Sequence, residues 1–403
     1  MASADSLLER APTRPLACVM GSMDLVRPLG LAGVRSAVVA RPGSPALFSR
    51  FTEAAFCRDE FSENDEDLVG TLEQFGAAQR DAPVLFYEED AQLLLVSRYR
   101  RRLARALRFV IADPETVENL VDKSRFYALA ARLALPIPAT RRIDPTDNPA
   151  HLDLRFPIVI KPLMRSPAWD ALADSHKAIE VASPAALDAL WPRLAGFGRD
   201  LLAQELVPGP EACIQSYHVY VDARGSIAGE FTGRKIRTYP VACGHSTALE
   251  ISNAEDVRTQ GRAATEKLNL RGVAKFDFKR APDGRLHLLE INPRFNLWHH
   301  LAAVAGMNLP ALVYADLVGL PRPTMQAARA GTRWCSLLKD FPAARASGVP
   351  MVRWVPWVLG CEAKSAVSWD DPMPVVRSLL HRFLAKASAK EAAVPLQPSK
   401  QAG

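Results

Sequence analysis

Residues 272–294 read GVAKFDFKRAPDGRLHLLEINPR, and no other stretch restricts the folding of this chain so tightly. Gly272 to Lys279 and Arg285 to Ile291 are strand-like runs separated by Asp283-Gly284, a pattern that predicts an antiparallel hairpin. Side chains alternate between faces with period 2, so Asp277 and Glu290 can meet across this ladder, with Asn292 on the same face as Glu290. Glu290 sits in the apolar frame Leu288-Leu289-Glu290-Ile291, where a charge is costly unless it is paired or bound to a cation. Two carboxylates and an amide oxygen on one spot suit Mg²⁺, which takes one or two protein carboxylates and completes its shell from phosphate and water. By residue type alone, an ordinary surface or salt-bridged carboxylate pair is the plainer alternative.

The hairpin lies in the second half of an alternating α/β chain. From Pro15 onward, Leu16 to Met20, Ser36 to Ala40 and Val84 to Tyr87 read as short buried strands followed by turns or amphipathic stretches, which predicts a small parallel βα domain. Gly21-Ser22-Met23-Asp24 after the first strand lacks the GxGxxG spacing of a dinucleotide loop. Asp113-Pro114 has the N-cap and first-turn proline of a helix, and Asp122 to Ala134 continues as another. Phe156 to Lys161 reads as a buried strand, Ser183-Pro184 opens a helix, and Leu201 to Val207 is a strand closed by Pro208-Gly209-Pro210. Cys213 to Val221 and Ile227 to Phe231 read as antiparallel neighbours, before a helix at Ala254 to Leu268.

Composition narrows the function classes. A chain of 403 residues with 48% hydrophobic and 23% charged side chains has the make-up of a two- or three-domain globular protein. Its most apolar stretch, Leu301 to Leu320, is interrupted by Asn308, Pro310 and Asp316, which argues against a membrane span, and the charged N-terminus offers no signal-peptide core. These features predict a cytoplasmic protein with no membrane partner. Six dispersed cysteines without CxxC spacing predict reduced thiols rather than disulfides or structural zinc. The net charge is +6, and the one dense basic run, Arg98 to Arg108, has helical spacing and reads as a solvated helix face rather than a nucleic-acid patch.

The hairpin signature Leu289-Glu290-Ile291-Asn292-Pro293-Arg294 resembles the metal-binding motif of the ATP-grasp superfamily. Further stretches in matching order extend the resemblance from about Leu16 to Pro374: Asp113-Pro114 through Asp122-Lys123-Ser124-Arg125-Phe126-Tyr127, Phe231-Thr232-Gly233-Arg234-Lys235, and Ser368-Trp369-Asp370-Asp371-Pro372. The resemblance is to the carboxylate-amine ligase branch, which includes D-aspartate ligases. It implies an α+β ATP-grasp fold behind an N-terminal Rossmann-like pre-ATP-grasp domain. The implied boundaries are a disordered N-terminus at 1–14, the βα domain at 15–112, the ATP-grasp domain at 113–325 with a lid at about 140–203, an accessory segment at 326–386 and a disordered tail at 387–403.

Carried over residue by residue, the resemblance places Lys123 and Lys161 as nucleotide-binding lysines, and lysine is scarce beside arginine in this chain. Gln204, Glu205, Leu206 and Val207 match the hinge that reads the adenine edge, and Glu211 matches the acid on the ribose hydroxyls. Asp277, Glu290 and Asn292 match the metal ligands, and Arg294 the arginine at the transferred phosphoryl group. The loop from Pro162 to Trp169 departs from the superfamily by having no glycine, so Lys177, after His176, is the substitute expected to reach phosphate. Arg234 and Lys235, with Arg237 beyond, form a basic strand end suited to an acyl phosphate or a substrate carboxylate. His299 and His300 are neighbours on a helix and point in different directions, which disfavours a two-histidine metal site and leaves one of them to line an acceptor pocket.

The activity implied is ATP-dependent ligation of a carboxylate, of an amino acid or peptide, to an amine through an acyl phosphate, with ADP and phosphate released. The cofactors are ATP and Mg²⁺, with Mn²⁺ as a substitute. The partners are small-molecule carboxylate and amine substrates, no nucleic acid, no membrane, and a homodimer as one option. The alternative is a nucleotide-binding regulatory module that kept the fold and lost turnover.

Overall fold

A computed structural model describes residues 14–145, 152–163, 166–174, 176, 178–241 and 244–392, with backbone alone for 382 and 385–392. Among the described residues the chain forms three sheets. The first is parallel, in the order β3-β2-β1-β4, from β1 (Ala17–Met20), β2 (Ser36–Ala40), β3 (Thr52–Cys57) and β4 (Val84–Tyr87). β3 is not among the strands that the sequence pattern predicts. It is an edge strand of alternating burial whose alanines and single threonine lack the branched-aliphatic run that marks its neighbours. Ser22 caps the helix Met23–Leu31 at the C-terminal end of β1 by accepting from the Asp24 amide at 3.2 Å.

The second sheet, β5-β8-β6-β7, is antiparallel and carries its own small core. Its strands are β5 (Thr140–Ile143), β6 (Ile158–Pro162), β7 (Ile179–Val181) and β8 (Leu201–Glu205). Ile158, Ile160, Trp169, Leu187 and Leu194 pack there, beneath the helices Pro167–Leu172 and Pro184–Phe197. Ser183 accepts from the Ala186 amide, Pro184 takes the first turn, and Gly198 ends the helix at φ 64, a left-handed conformation that favours glycine.

The third sheet is the scaffold of the site, in the order β13-β12-β9-β10-β11-β14-β15. It comprises β9 (Ile214–Val221), β10 (Ile227–Tyr239), β11 (His245–Ser252), β12 (Gly272–Arg280), β13 (Leu286–Asn292), β14 (Arg333–Cys335) and β15 (Ala363–Lys364). Period-2 alternation divides its side chains. Tyr217, Val219, Phe276 and Phe278 join the core with the helices Lys123–Arg132 and Glu255–Lys267. Tyr220, Phe231 and Val273 face the other way, into a cluster that also holds Val19, Leu25 and Phe86 of the first sheet's domain and Trp298. Gly233 permits that second layer, since a Cβ there would lie 2.2 Å from the Trp298 indole.

The hairpin of β12 and β13, the Asp113-capped helix Pro114–Val121 and the helix Lys123–Arg132 all form where the sequence predicts them. The basic run does not continue as one helix. A helix ends at Arg98, a single turn follows at Arg100–Leu103, and Arg98 and Arg102 pair with Glu63, Glu118, Glu66 and Glu73. Residues beyond 326 add β14 and β15 to the sheet edge, and Asp370 and Asp371 then reach back to Arg27 and to the Arg50 backbone. Among the described residues, Cys18, Cys57, Cys213, Cys335 and Cys361 are free thiols. No single helix is long and apolar enough to cross a membrane.

Candidate active site

The Asp277–Glu290 pairing forms as the hairpin predicts, because register places the two residues directly opposite in the ladder. Asp277 is 1% exposed and is held by two ammonium groups, Lys235 Nζ at 3.0 Å and Lys275 Nζ at 2.8 Å, while Ser216 Oγ donates to its other oxygen. Burial alone would raise its pKa. The two lysines overcome that effect and hold the carboxyl well below the usual range. Lys235 is in turn raised, because the attraction of Asp277 and Glu290 outweighs its desolvation. Lys275 also lies 3.6 Å from Glu290 Oε1, and the Glu290 carboxylate is half exposed, open to the cleft.

Asn292 Nδ2 donates to Glu290 Oε1 at 3.2 Å, and Asn292 Oδ1 accepts from Arg294 Nη2 at 3.2 Å. Arg294 is anchored across the domain boundary: Nη1 donates to the Glu88 carbonyl at 2.7 Å, and Nε pairs with Asp90. Its anchoring acid is therefore Asp90 of the first domain rather than Glu290. Glu88 follows β4 and accepts from the Ser22 amide at 2.7 Å and hydroxyl at 3.1 Å. Burial first, and the charge of Asp24 second, push the Glu88 carboxyl up to about 7.

Lys123 and Lys161 converge on the end of β6. Lys123 Nζ donates to the Pro162 carbonyl at 3.1 Å, and Lys161 Nζ donates to Gln204 Oε1 at 2.8 Å. Gln204 is nearly buried and donates in turn to Thr140 Oγ1 at 2.9 Å. Glu205 turns outward to Arg155, at 3.0 Å, and the Leu206 amide donates to the Pro157 carbonyl at 2.9 Å. The Val207 amide has no backbone acceptor among the described residues. Leu206 and Glu211 line a cavity of about 1020 Å³ together with Val159, Ile236, Arg237 and Lys279, between the second and third sheets. Arg237 is fixed by a two-pronged contact with the buried Asp340, at 2.9 and 2.6 Å, and lies 4.0 Å over the Trp357 ring. Lys177 lies outside the described residues.

Arg234 is not brought to this group. It neighbours Lys235 in sequence, so alternation sends it to the opposite face of β10, where it pairs with Glu250 at 2.7 Å. His299 and His300 are buried behind the site rather than along an acceptor pocket, with His300 lying 3.7 Å from Asp24. Burial lowers His299 to about 3 and His218 well below the imidazole range, so both are neutral. Sequence reasoning missed Lys275, Ser216 and Glu88. Lys275 was detectable, standing two residues before Asp277 on the same strand face. Ser216 and Glu88 were not, because each joins the group through chain distant in sequence.

A parallel βα domain, a small antiparallel sheet and a larger sheet with a Glu-x-Asn-x-Arg strand end make an architecture of the ATP-grasp kind, and the comparisons agree. Residues 199–337 match the family described as ATP-grasp in the biosynthetic pathway with Ter operon. The D-aspartate ligase of Enterococcus faecium (strain Aus0004) is 25% identical over 241 residues, 57% of this chain and 57% of that protein. The chain thus spans little more than half the length of this curated relative. An N5-carboxyaminoimidazole ribonucleotide synthetase solved as its ADP complex superimposes with a TM-score of 0.59 at 15% identity, over 80% of each chain. An L-amino acid ligase from Bacillus licheniformis superimposes with a TM-score of 0.55 at 15% identity, over 76% of this chain and 74% of that one. Residues 199–337 are thus similar to an ATP-grasp family, and the fold is that of ATP-grasp structures.

Proposed function

We propose that this chain is an ATP-dependent ligase that joins a carboxylate to an amine through an acyl phosphate, releasing ADP and phosphate. The observation that carries the reading is the convergence of Lys235, Lys275, Asp277 and Glu290 at the open end of one sheet face, beside Asn292 and Arg294. ATP belongs in the cavity between the second and third sheets. Val159, Leu206 and Ile236 offer apolar contact for the base, Glu211 suits the ribose hydroxyls, and Lys123 and Lys161 stand where phosphate oxygens would neutralise an ammonium.

The donor set fits Mg²⁺. Asp277 and Glu290 face each other in register and Asn292 adds an amide oxygen, and two carboxylates with further oxygens from phosphate are what Mg²⁺ takes. When bound, the ion would neutralise charge on the terminal phosphates.

The chain's own groups then account for the chemistry. A carboxylate is a poor acyl donor, because its leaving group would be oxide. Attack of one carboxylate oxygen on the γ-phosphorus breaks the bond to the ADP oxygen and gives a mixed anhydride. The planar fork of Arg294, held by Asp90 and the Glu88 carbonyl, would stabilise charge on an equatorial phosphoryl oxygen. Lys235 and Lys275 supply positive charge for the substrate carboxylate and later for the oxyanion formed when the amine attacks the acyl carbon. Phosphate then departs with the bridging oxygen, and the proton shed by the attacking nitrogen leaves with the phosphate or passes to water.

The test is a screen of paired carboxylic acids and amines with Mg-ATP, followed by replacement of the amine with hydroxylamine. A hydroxamate formed in step with ADP, and ¹⁸O passing from labelled carboxylate into phosphate, are the expected results. Release of AMP, or unlabelled phosphate during amide formation, would overturn the mechanism.

A further inference from the structure

One fully buried carboxylate lies outside the cluster at Asp277. Asp340 belongs to the helix Leu337–Ala346. Its Oδ1 accepts from Arg237 Nε at 2.9 Å and from Thr247 Oγ1 at 2.8 Å, and its Oδ2 accepts from Arg237 Nη2 at 2.6 Å and from Trp354 Nε1 at 2.9 Å. Trp354 sits on the next helix, Met351–Leu359, as does Trp357, whose ring centre is 4.0 Å from the Arg237 guanidinium carbon. Four accepted bonds use the lone pairs of a carboxylate, so Asp340 has nothing left to offer a metal or a substrate. It can act only through Arg237.

Arg237 is not closed off in the same way. Asp340 takes two of its three nitrogens, and Nη1 has no partner among the described residues. Arg237 lines the cavity between the second and third sheets beside Ile236, Glu211 and Lys279, and Ser347, which caps the end of the Leu337–Ala346 helix, lines it too. The register of β10 against β11 slips on both sides of Arg237, an irregularity of the kind that re-aims a side chain out of strict alternation. A buried ion pair adds little to stability beyond an apolar pair of the same volume, so folding alone does not call for this arrangement. What it supplies is a guanidinium locked at two nitrogens, stacked on one ring and left with a third nitrogen to spare at the cavity wall, which is preorganised to donate to an anionic oxygen. The cavity that Arg237 shares with Leu206 and Glu211 is the one read above as taking ATP, whose anionic oxygens are its phosphates.

We propose that Arg237 donates to a phosphate of the bound nucleotide and that Asp340 is the positioning residue that aims it, so that the helices Leu337–Ala346 and Met351–Leu359 complete the nucleotide site. The proposal rests on the reading that this cavity takes ATP. It is tested by calorimetric titration of the full chain with ADP in the presence of Mg²⁺, beside adenosine, which carries no phosphate. Wild type should bind ADP more tightly than adenosine. Arg237→Gln should weaken ADP binding about tenfold and leave adenosine within a few-fold, the loss of one charged hydrogen bond. Asp340→Asn should do the same although Arg237 is still present, and the double variant should bind ADP no more weakly than Arg237→Gln alone, because the acid acts only through the arginine. Should Asp340→Asn fail to fold by stranding a buried guanidinium, Trp357→Leu keeps the ion pair, removes the ring beneath it, and should still weaken ADP a few-fold with adenosine unchanged. Wild-type ADP affinity in both Arg237→Gln and Trp357→Leu, a parallel loss of ADP and adenosine, or additive losses in the double variant would each overturn the proposal. Failure of the wild type to bind ADP at all would instead overturn the nucleotide reading beneath it.

Discussion

Replacing Glu88 by glutamine isolates the energetic consequence of burying a carboxyl beside Asp24. Folding moves this group from 4.5 to about 7, so the folded chain retains a proton that the unfolded chain has already lost over that interval. At about 1.4 kcal/mol for each tenfold change in proton affinity, the rise corresponds to about 3.5 kcal/mol at most, and to about 1–3 kcal/mol once partial hydration of the carboxyl is allowed for. The sign follows from proton binding. Below the unfolded value both states are protonated and ionisation contributes nothing. As pH rises toward 7 the folded state is progressively penalised, and above 7 the penalty is complete. A glutamine side chain at this position has no charge to bury, and its amide oxygen can still accept from the Ser22 amide. Chemical denaturation should therefore show Glu88→Gln more stable than wild type by about 1–3 kcal/mol at about pH 8, with the difference fading at about pH 4. A stability difference that is the same at both pH values, or a variant weaker than wild type at the higher one, would refute the argument.

Asp277→Ala and Glu290→Ala should separate stability from activity. Removing Asp277 strands the ammonium groups of Lys235 and Lys275 and should cost about 3–5 kcal/mol in denaturant unfolding as well as ADP formation, whereas Glu290, open to the cleft, should lose ADP formation with little change in thermal midpoint. Full turnover by Glu290→Ala, or in excess EDTA, would rule out the metal assignment. Lys235→Ala should reduce kcat/KM for the carboxylate by about a hundredfold, equivalent to about 2.7 kcal/mol of transition-state stabilisation, while Arg234→Ala stays within a few-fold of wild type. Equal losses in the two variants would show that the alternation of β10 does not govern the site.

Much of the architecture is set by local pattern. The hairpin, its Asp283-Gly284 turn, the capped helices and the alternating first domain follow from periodicity and turn chemistry acting over a few residues, and the pairing of Asp277 with Glu290 follows from the hairpin. β3 was illegible because its strand character comes from pairing with β2 rather than from its own side chains. The site residues divide in the same way. Asp277, Glu290 and Asn292 belong to one continuous segment, so the sequence alone could place them together. The partners of Asp277 from Ser216 and Lys235, the anchoring of Arg294 by Asp90, and the raised Glu88 depend on strands and domains brought together from far apart in the chain. Only the tertiary structure decided them, because a charge's neighbours and its exposure to water are properties of the packed chain. The helix Met373–Ala392 makes the same point in reverse: its amphipathic pattern is local, but which face meets the protein was settled by packing alone.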